Sequence, residues 1–197
     1  MLAMTVAAEP RAERELDEVT LARAARGDQV AARTVFEHYH RSVHAYLWRM
    51  LAPHGTRALV EDLTQDTFLR AFAGLARFQP GGAARLSTWL FTIATRVALN
   101  ELRRKKRKPE ATVDVDLIAI PGGADPREQA ERKAVGAILA RAIAELPDDA
   151  RAVILLREYH DQSLDEIARA LEVPVGTVQS RLARARTALR AALKELS

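Results

Sequence analysis

The sequence predicts an all-α chain of two small helical domains joined by a flexible acidic linker. Apolar residues recur at spacings of three and four between breaks that contain Gly or Pro, and no segment of any length alternates as a strand would. Ala and Leu are abundant while aromatic residues make up only 5%, a balance that favours helices. Charge is also unevenly spread. The chain carries +4 overall, yet residues 110–131 hold Glu110, Asp114, Asp116, Asp125, Glu128 and Glu131 against one base, Arg127, a local charge of −5.

The elements follow in order. A helical pattern begins near Leu16 and is broken at Gly27-Asp28, so residues 1–27 read as an N-terminal extension with a short helix. Phe36, Tyr39, Val43, Tyr46, Leu47 and Met50 then mark one apolar helix face, which Pro53-His54-Gly55 ends. The next helix spans about 57–77, with Leu59, Leu63, Phe68, Phe72 and Leu75 as its core side, and Pro80-Gly81-Gly82 makes a loop. A third helix starts near Ser87, buries Trp89, Leu90, Ile93, Val97 and Leu102, and ends in six consecutive cations, Arg103 to Lys108, before Pro109. Residues 28–109 are thus the first domain. In the linker, 110–131, Pro121, Gly122, Gly123 and Pro126 break any regular element. Helical periodicity resumes near Arg132 and opens the second domain, 132–197. Two helices flank Pro147-Asp148-Asp149, where Asp148 or Asp149 is the expected N-cap.

Several functions are excluded at this stage. The chain has 197 residues with 48% hydrophobic and 28% charged, enough for a core and unlike a disordered composition. The absence of Cys removes disulfides, thiolate zinc sites and cysteine nucleophiles. No apolar run approaches the roughly 20 residues that cross a bilayer. Residues 1–8 lack a basic start and a long hydrophobic stretch, so no signal peptide is expected, and the expected location is cytoplasmic without membrane insertion. There is no P-loop, dinucleotide fingerprint or HExxH. Glu61, Asp62 and Asp66 would be the acids of a nuclease, but Glu61 and Asp62 are adjacent and diverge on a helix. His38, His40 and His44 raise metal or pH sensing, since the last two are four apart, though solvated histidines explain them as well. The expectation is a non-enzyme with no metal and no cofactor.

The end of the chain carries the most specific motif. Ser163 with Glu166 three residues on has the form of a capping box. Leu164, Ile167, Ala168 and Leu171 form a short apolar face, Glu172-Val173-Pro174 a tight turn, and Val178, Leu182, Ala185 and Leu189 a second stripe. This is a helix-turn-helix, in which small Ala168 permits a close crossing. Thr177, Gln179, Ser180, Arg181, Arg184 and Arg186 are candidate DNA contacts: short polar groups reach base edges near the N-terminus, and arginines reach guanines or phosphates.

Two faces of the first domain also point outward. Asp62, Gln65, Asp66 and Leu69 form one stripe, an acidic face ending in an apolar residue that suits a basic partner surface. Thr88, Thr92, Arg96, Asn100, Arg103 and Arg107 share a face of the following helix, polar groups first and cations later, which suits a nucleic-acid strand. Trp89 or Phe91 could stack on a base there, although Trp89 lies on the apolar side.

Three blocks together resemble the bacterial RNA polymerase sigma factors of the extracytoplasmic-function type. They are Asp62-Leu63-Thr64-Gln65-Asp66-Thr67-Phe68-Leu69; Ser87-Thr88-Trp89-Leu90-Phe91-Thr92-Ile93-Ala94 leading to Asn100-Glu101-Leu102-Arg103-Arg104; and Leu164-Asp165-Glu166-Ile167-Ala168 through Gly176-Thr177-Val178-Gln179-Ser180-Arg181-Leu182-Ala183-Arg184-Ala185-Arg186. The resemblance covers 28–108 and 132–193. It implies that Asp62, Gln65, Asp66 and Leu69 dock on the coiled coil of the largest subunit of core RNA polymerase. It implies that residues 78–88 capture an unstacked base of the −10 element. Arg85, Ser87, Thr88, Thr92, Arg96, Asn100, Arg103, Arg104 and Arg107 would then hold that element during melting. The helix-turn-helix would read the −35 element, the acidic linker would thread the RNA channel, and an anti-sigma factor would hold the protein inactive. Arg96 stands where the family commonly has Asn, and Asn100 where an acid is common. The alternative reading is a stand-alone helix-turn-helix repressor or activator, which would leave the face from Asp62 to Leu69 unexplained.

Overall fold

The computed structural model describes residues 15–55, 57–78, 85–107 and 126–194. Its helices are α1 (Glu18–Ala25), α2 (Gln29–Leu51), α3 (Val60–Leu75), α4 (Leu86–Arg107), α5 (Pro126–Glu145), α6 (Asp148–Glu158), α7 (Leu164–Leu171) and α8 (Val175–Lys194), and no strand occurs among the described residues. Most of the acidic linker, from Glu110 to Asp125, lies outside the described residues, as do residues 1–14 and the loop at Pro80-Gly81-Gly82.

Local chemistry accounts for the boundaries. Asp17 caps α1 by accepting from Thr20 N at 2.8 Å, and Asp28 caps α2 by accepting from Val30 N and Ala31 N. Gly27 joins the two helices at φ +88°, a left-handed conformation glycine adopts freely. Helix α5 begins at Pro126, earlier than the expected start near Arg132. Proline is tolerated in a first turn, where its missing N–H has no intrahelical partner, so a residue read as a breaker is here a helix start. The expected aspartate N-cap of α6 is also corrected: Pro147 occupies that position without a side-chain bond, and Asp148 and Asp149 lie in the first turn.

Helix α4 is the centre of the first domain and packs against both α2 and α3. Its buried side is broader than the expected stripe and includes Leu86, Thr88, Leu90, Phe91, Ala94, Thr95, Val97, Ala98, Leu99 and Leu102. Trp89 is only half-buried and lies over Gly74 of α3, where a Cβ would come within 3.0 Å of the indole. On α3 the fully enclosed residues include Thr64 and Thr67, whose hydroxyls donate to Val60 O and Leu63 O at 2.7 Å each. That bond satisfies the only polar atom of each side chain, so threonine serves as core here.

The second domain packs α5, α6 and α7 around α8. The two domains also pack on each other, chiefly α4 against α7 with α6 beside them, and their apolar residues form one contiguous core.

Candidate nucleic-acid and docking surfaces

The acidic stripe of α3 lies on the outer side of the molecule. Asp62 and Gln65 are exposed, Asp66 is half-buried and accepts from Arg70 Nε at 2.8 Å, and Leu69 is 70% exposed. Phe68, one residue earlier, is buried. Val19 and Val30 are as exposed as Leu69, so exposure alone does not single it out; what does is its place on the same face of α3 as Asp62, Gln65 and Asp66. Glu61 turns the other way, toward His44 Nε2 at 3.9 Å and His40 Nε2 at 4.0 Å. The nuclease-like arrangement of Glu61, Asp62 and Asp66 does not form, and no group of three residues suited to a metal ion occurs among the described residues.

The α4 face is largely engaged with the rest of the chain. The Ser87 hydroxyl donates to Glu15 Oε1, and Glu15 also accepts from Tyr39. Thr88, only 4% exposed, donates to Glu166 Oε1 at 2.8 Å. In this arrangement α7 covers it. Arg85 donates to Asp161 O at 3.3 Å, and Arg96 to Glu172 Oε1 at 2.8 Å. Thr92 is half-buried and bonds back to Thr88 O. Further along, Asn100 accepts from Arg103 at 3.3 Å, Arg104 makes two bonds to Glu101, and Lys106 meets Asp148 Oδ2 at 2.7 Å. The Arg104 pair holds the Glu101 carboxyl below its ordinary range despite partial burial. Of the last residue in the proposed face, Arg107, the side chain lies outside the described residues.

Phe91 is not available to stack on a base in this arrangement. It is buried, 5.5 Å from the Tyr46 ring and 3.7 Å from the His160 ring. Trp89 instead pairs with Phe78 at 5.4 Å.

The helix-turn-helix forms as expected. Ser163 Oγ accepts from Glu166 N while Glu166 Oε2 accepts from Ser163 N at 2.7 Å, a reciprocal cap. Burial alone would raise the Glu166 carboxyl, but its bonds from Ser163 and Thr88 and the charge of Arg85 hold it low. The turn places Glu172 at φ 56°, and Glu172 N and Val173 N both donate to Ala168 O. On α8, Val178, Leu182, Ala185 and Leu189 are buried, leaving Gln179, Ser180 and Arg184 exposed and Thr177 partly so. Arg181 and Arg186 flank that surface, held by Asp149 at 2.9 Å and Glu158 at 2.7 Å on α6. The middle of the face is open while its two flanking arginines are fixed in place.

Comparison with known proteins gives a consistent pattern. The sequence matches the family pattern of Sigma-70 region 2 over residues 35–108 and that of Sigma-70 region 4 over residues 137–189. It is 32% identical to the ECF RNA polymerase sigma factor SigW of Bacillus subtilis, over 87% of this chain and 93% of that protein. It is 35% identical to the ECF RNA polymerase sigma-E factor of Salmonella typhimurium, over 90% of this chain and 94% of that one. Among solved structures, CnrH bound to the cytosolic domain of CnrY aligns with a TM-score of 0.60 at 26% identity, covering 92% of this chain and 99% of that one. The fold is also that of the sigma factor RpoE of Bartonella quintana, solved with the anti-sigma factor NepR (TM-score 0.64, 23% identity, 82% of this chain and 96% of that one).

Proposed function

The chain belongs to the extracytoplasmic-function RNA polymerase sigma factors, which act in promoter recognition and transcription initiation, and we propose how its helices divide that work. Residues 28–109 are the polymerase-binding and −10 domain. Residues 132–197 are the −35 domain, with the first turns of α5 from Pro126 added to it. The acidic segment between them threads the channel that later carries RNA.

Asp62, Gln65, Asp66 and Leu69 dock on the coiled coil of the largest polymerase subunit. The observation that supports this is the continuous stripe of Asp62, Gln65, Asp66 and exposed Leu69 along one outer face of α3. A stand-alone repressor has no use for such a face. Arg85, just before α4, and Ser87, Thr88, Thr92, Arg96, Asn100, Arg103, Arg104 and Arg107 on it hold the −10 strand. Thr177, Gln179, Ser180, Arg181, Arg184 and Arg186 read the −35 duplex. Parting bases costs a few kcal/mol per step. Neither small surface offsets this alone, but both act at high effective concentration once seated on polymerase. The protein contributes binding and strand separation rather than catalysis, works in the cytoplasm, and is held off by an anti-sigma protein. CnrH, solved with the cytosolic domain of another protein, supports regulation by a protein partner.

The test is transcription in vitro by purified core polymerase across a pool of promoter fragments. Protein-dependent starts sharing two spaced elements are expected. Leu69→Asp should weaken core binding about tenfold or more, as loss of a central apolar anchor does, while leaving −35 duplex binding intact. Arg184→Ala should weaken the −35 contact by about 1–3 kcal/mol and leave core binding intact. Specific duplex binding with no initiation would instead establish the repressor reading.

A further inference from the structure

Two of the cations on α8 are gripped by acids of a neighbouring helix. The Arg181 guanidinium meets Asp149 Oδ2 at 2.9 Å. Arg186 donates from both Nε and Nη2 to one oxygen of Glu158, at 3.1 and 2.7 Å. Both acids belong to α6, Asp149 in its first turn and Glu158 as its last residue. Helix α6 packs against α8 and so presents it with a carboxylate from each end. With 3.6 residues per turn, Arg181 and Arg186 lie about 70° to either side of the buried stripe of Val178, Leu182, Ala185 and Leu189. They therefore edge opposite flanks of the exposed face that holds Gln179, Ser180 and Arg184.

Stability alone is a poor account of these pairs. Arg186 and Glu158 are 45% and 39% exposed, and ion pairs that open contribute little by themselves. Asp149 suits the positive end of α6, but Glu158 sits at the negative end, where a carboxylate is unfavourable. Both acids also flank a surface suited to approach a polyanion, so each carries an electrostatic cost in any DNA complex. What they provide is orientation. An unpaired arginine is a long, mobile side chain that meets a phosphate from many positions. A guanidinium gripped by a carboxylate keeps its remaining N–H groups pointing one way, and it is ordered before DNA arrives.

We propose that Asp149 and Glu158 are positioning residues for the −35 contact: they hold Arg181 and Arg186 as two fixed posts for backbone phosphates, one on each flank of α8, so that the helix seats in the major groove at a single register. Phosphate contacts carry no sequence information themselves, but they set where the base-reading side chains fall. The seated register places Gln179, Ser180 and Arg184 against the base edges of the cognate duplex. On any other sequence the same cations cannot shift to recover phosphate contacts, and the two acids repel the backbone. Asp149 and Glu158 thus lower affinity for DNA in general and raise discrimination between sequences. This rests on the assignment of α8 to the −35 duplex.

The test uses holoenzyme assembled from core polymerase and the full chain, with Asp149→Asn and Glu158→Gln combined. Neither residue belongs to the proposed DNA or polymerase contacts. Transcript yield is compared between a promoter selected in the transcription assay and the same promoter with its −35 element replaced. Affinity for an unrelated duplex is read by competitor titration. The preference of the wild type for the intact promoter should fall at least about fivefold in the double variant. Affinity for the unrelated duplex should rise by about two- to threefold and depend more steeply on salt, since two cations are released to phosphates. A merely structural role would weaken both kinds of binding together. Glu158→Gln alone, at a half-exposed pair on a helix end, should shift both quantities in the same directions by smaller factors and guards against misfolding of the double variant. An unchanged preference in both variants, or a joint loss of specific and unrelated binding, would overturn the positioning role and leave the assignment of α8 intact. If wild-type holoenzyme initiates equally well with the −35 element replaced, the assignment of α8 falls and the positioning role with it.

Discussion

Arg151 shows what one side chain can hold together. It is 2% exposed, and its guanidinium makes five hydrogen bonds: Nε to Ile143 O, Nη1 to Met50 O and Asp148 Oδ1, and Nη2 to Ala144 O and Leu146 O. Three of these carbonyls lie at the C-terminal end of α5, where the last turn has no intrahelical donors, and the fourth lies near the end of α2 in the other domain. Burial pushes the guanidinium down, and the Asp148 carboxylate opposes that. Burial would raise Asp148 in turn, but bonds from Lys106 and His54 and the charges of His54 and Arg151 hold it low. Arg151→Met keeps much of the volume and removes every donor. It should cost about 3–5 kcal/mol, because buried acceptors and a carboxylate lose their partner. Urea denaturation checks this, and an unchanged midpoint would mean that the node contributes nothing. Arg151→Lys should rescue little, since an ammonium offers three donors from one point where five are needed in a planar fork. Gln162 presents the opposite case. Its side chain is 1% exposed and neither amide atom finds a partner among the described residues, a cost that Arg151 avoids by meeting all five of its donors.

Elements were legible in the sequence where the local signal and the tertiary environment agreed. Ser163 and Glu166 announce the start of α7 by spacing alone, and the reciprocal cap forms there. Ser163→Ala should therefore lower stability by about 1 kcal/mol, read as a fall in thermal midpoint, and Ser163→Asp should restore most of it. An unchanged midpoint in Ser163→Ala would show that packing alone positions α7. Thr64 and Thr67 were not legible as core, because a threonine that returns its hydroxyl to its own helix looks polar until the bond is seen. Arg151 was not legible either. A cation in the first turn of α6 reads as solvated, and its acceptors come from two other helix ends. The candidate surfaces divide in the same way. The stripe from Asp62 to Leu69 and the outer side of α8 follow from helical period alone, and both are on the surface. Coverage of Thr88 could not be read, because it depends on how α7 sits against α4, a relation between segments far apart in the chain.

At the scale of the whole molecule, the closed arrangement carries a built-in sensitivity to acid. His160 is half-buried against Tyr46 of α2 and Phe91 of α4, with Arg49 nearby over the ring of its neighbour Tyr159 at 4.7 Å. Burial, with the Arg49 charge adding to it, pushes the imidazole down to about 3 from an ordinary value of 6.5. Separation of the domains removes Tyr46 and Phe91 from the ring and returns it to water. The closed form thus binds His160 neutral, and the open form binds it in either state. The stabilisation of the closed form is complete above about pH 6.5 and is lost as pH falls below that value toward about 3. Acidification from about pH 7.5 to about 5.5 should shift the closed-to-open ratio roughly tenfold toward open. The comparison is between wild type and His160→Phe. Energy transfer between dyes on cysteines introduced at Ala73 and Arg190 should fall with acidification in the wild type and stay nearly level in His160→Phe. Parallel curves would mean that His160 keeps its contacts with Tyr46 and Phe91 over this pH range.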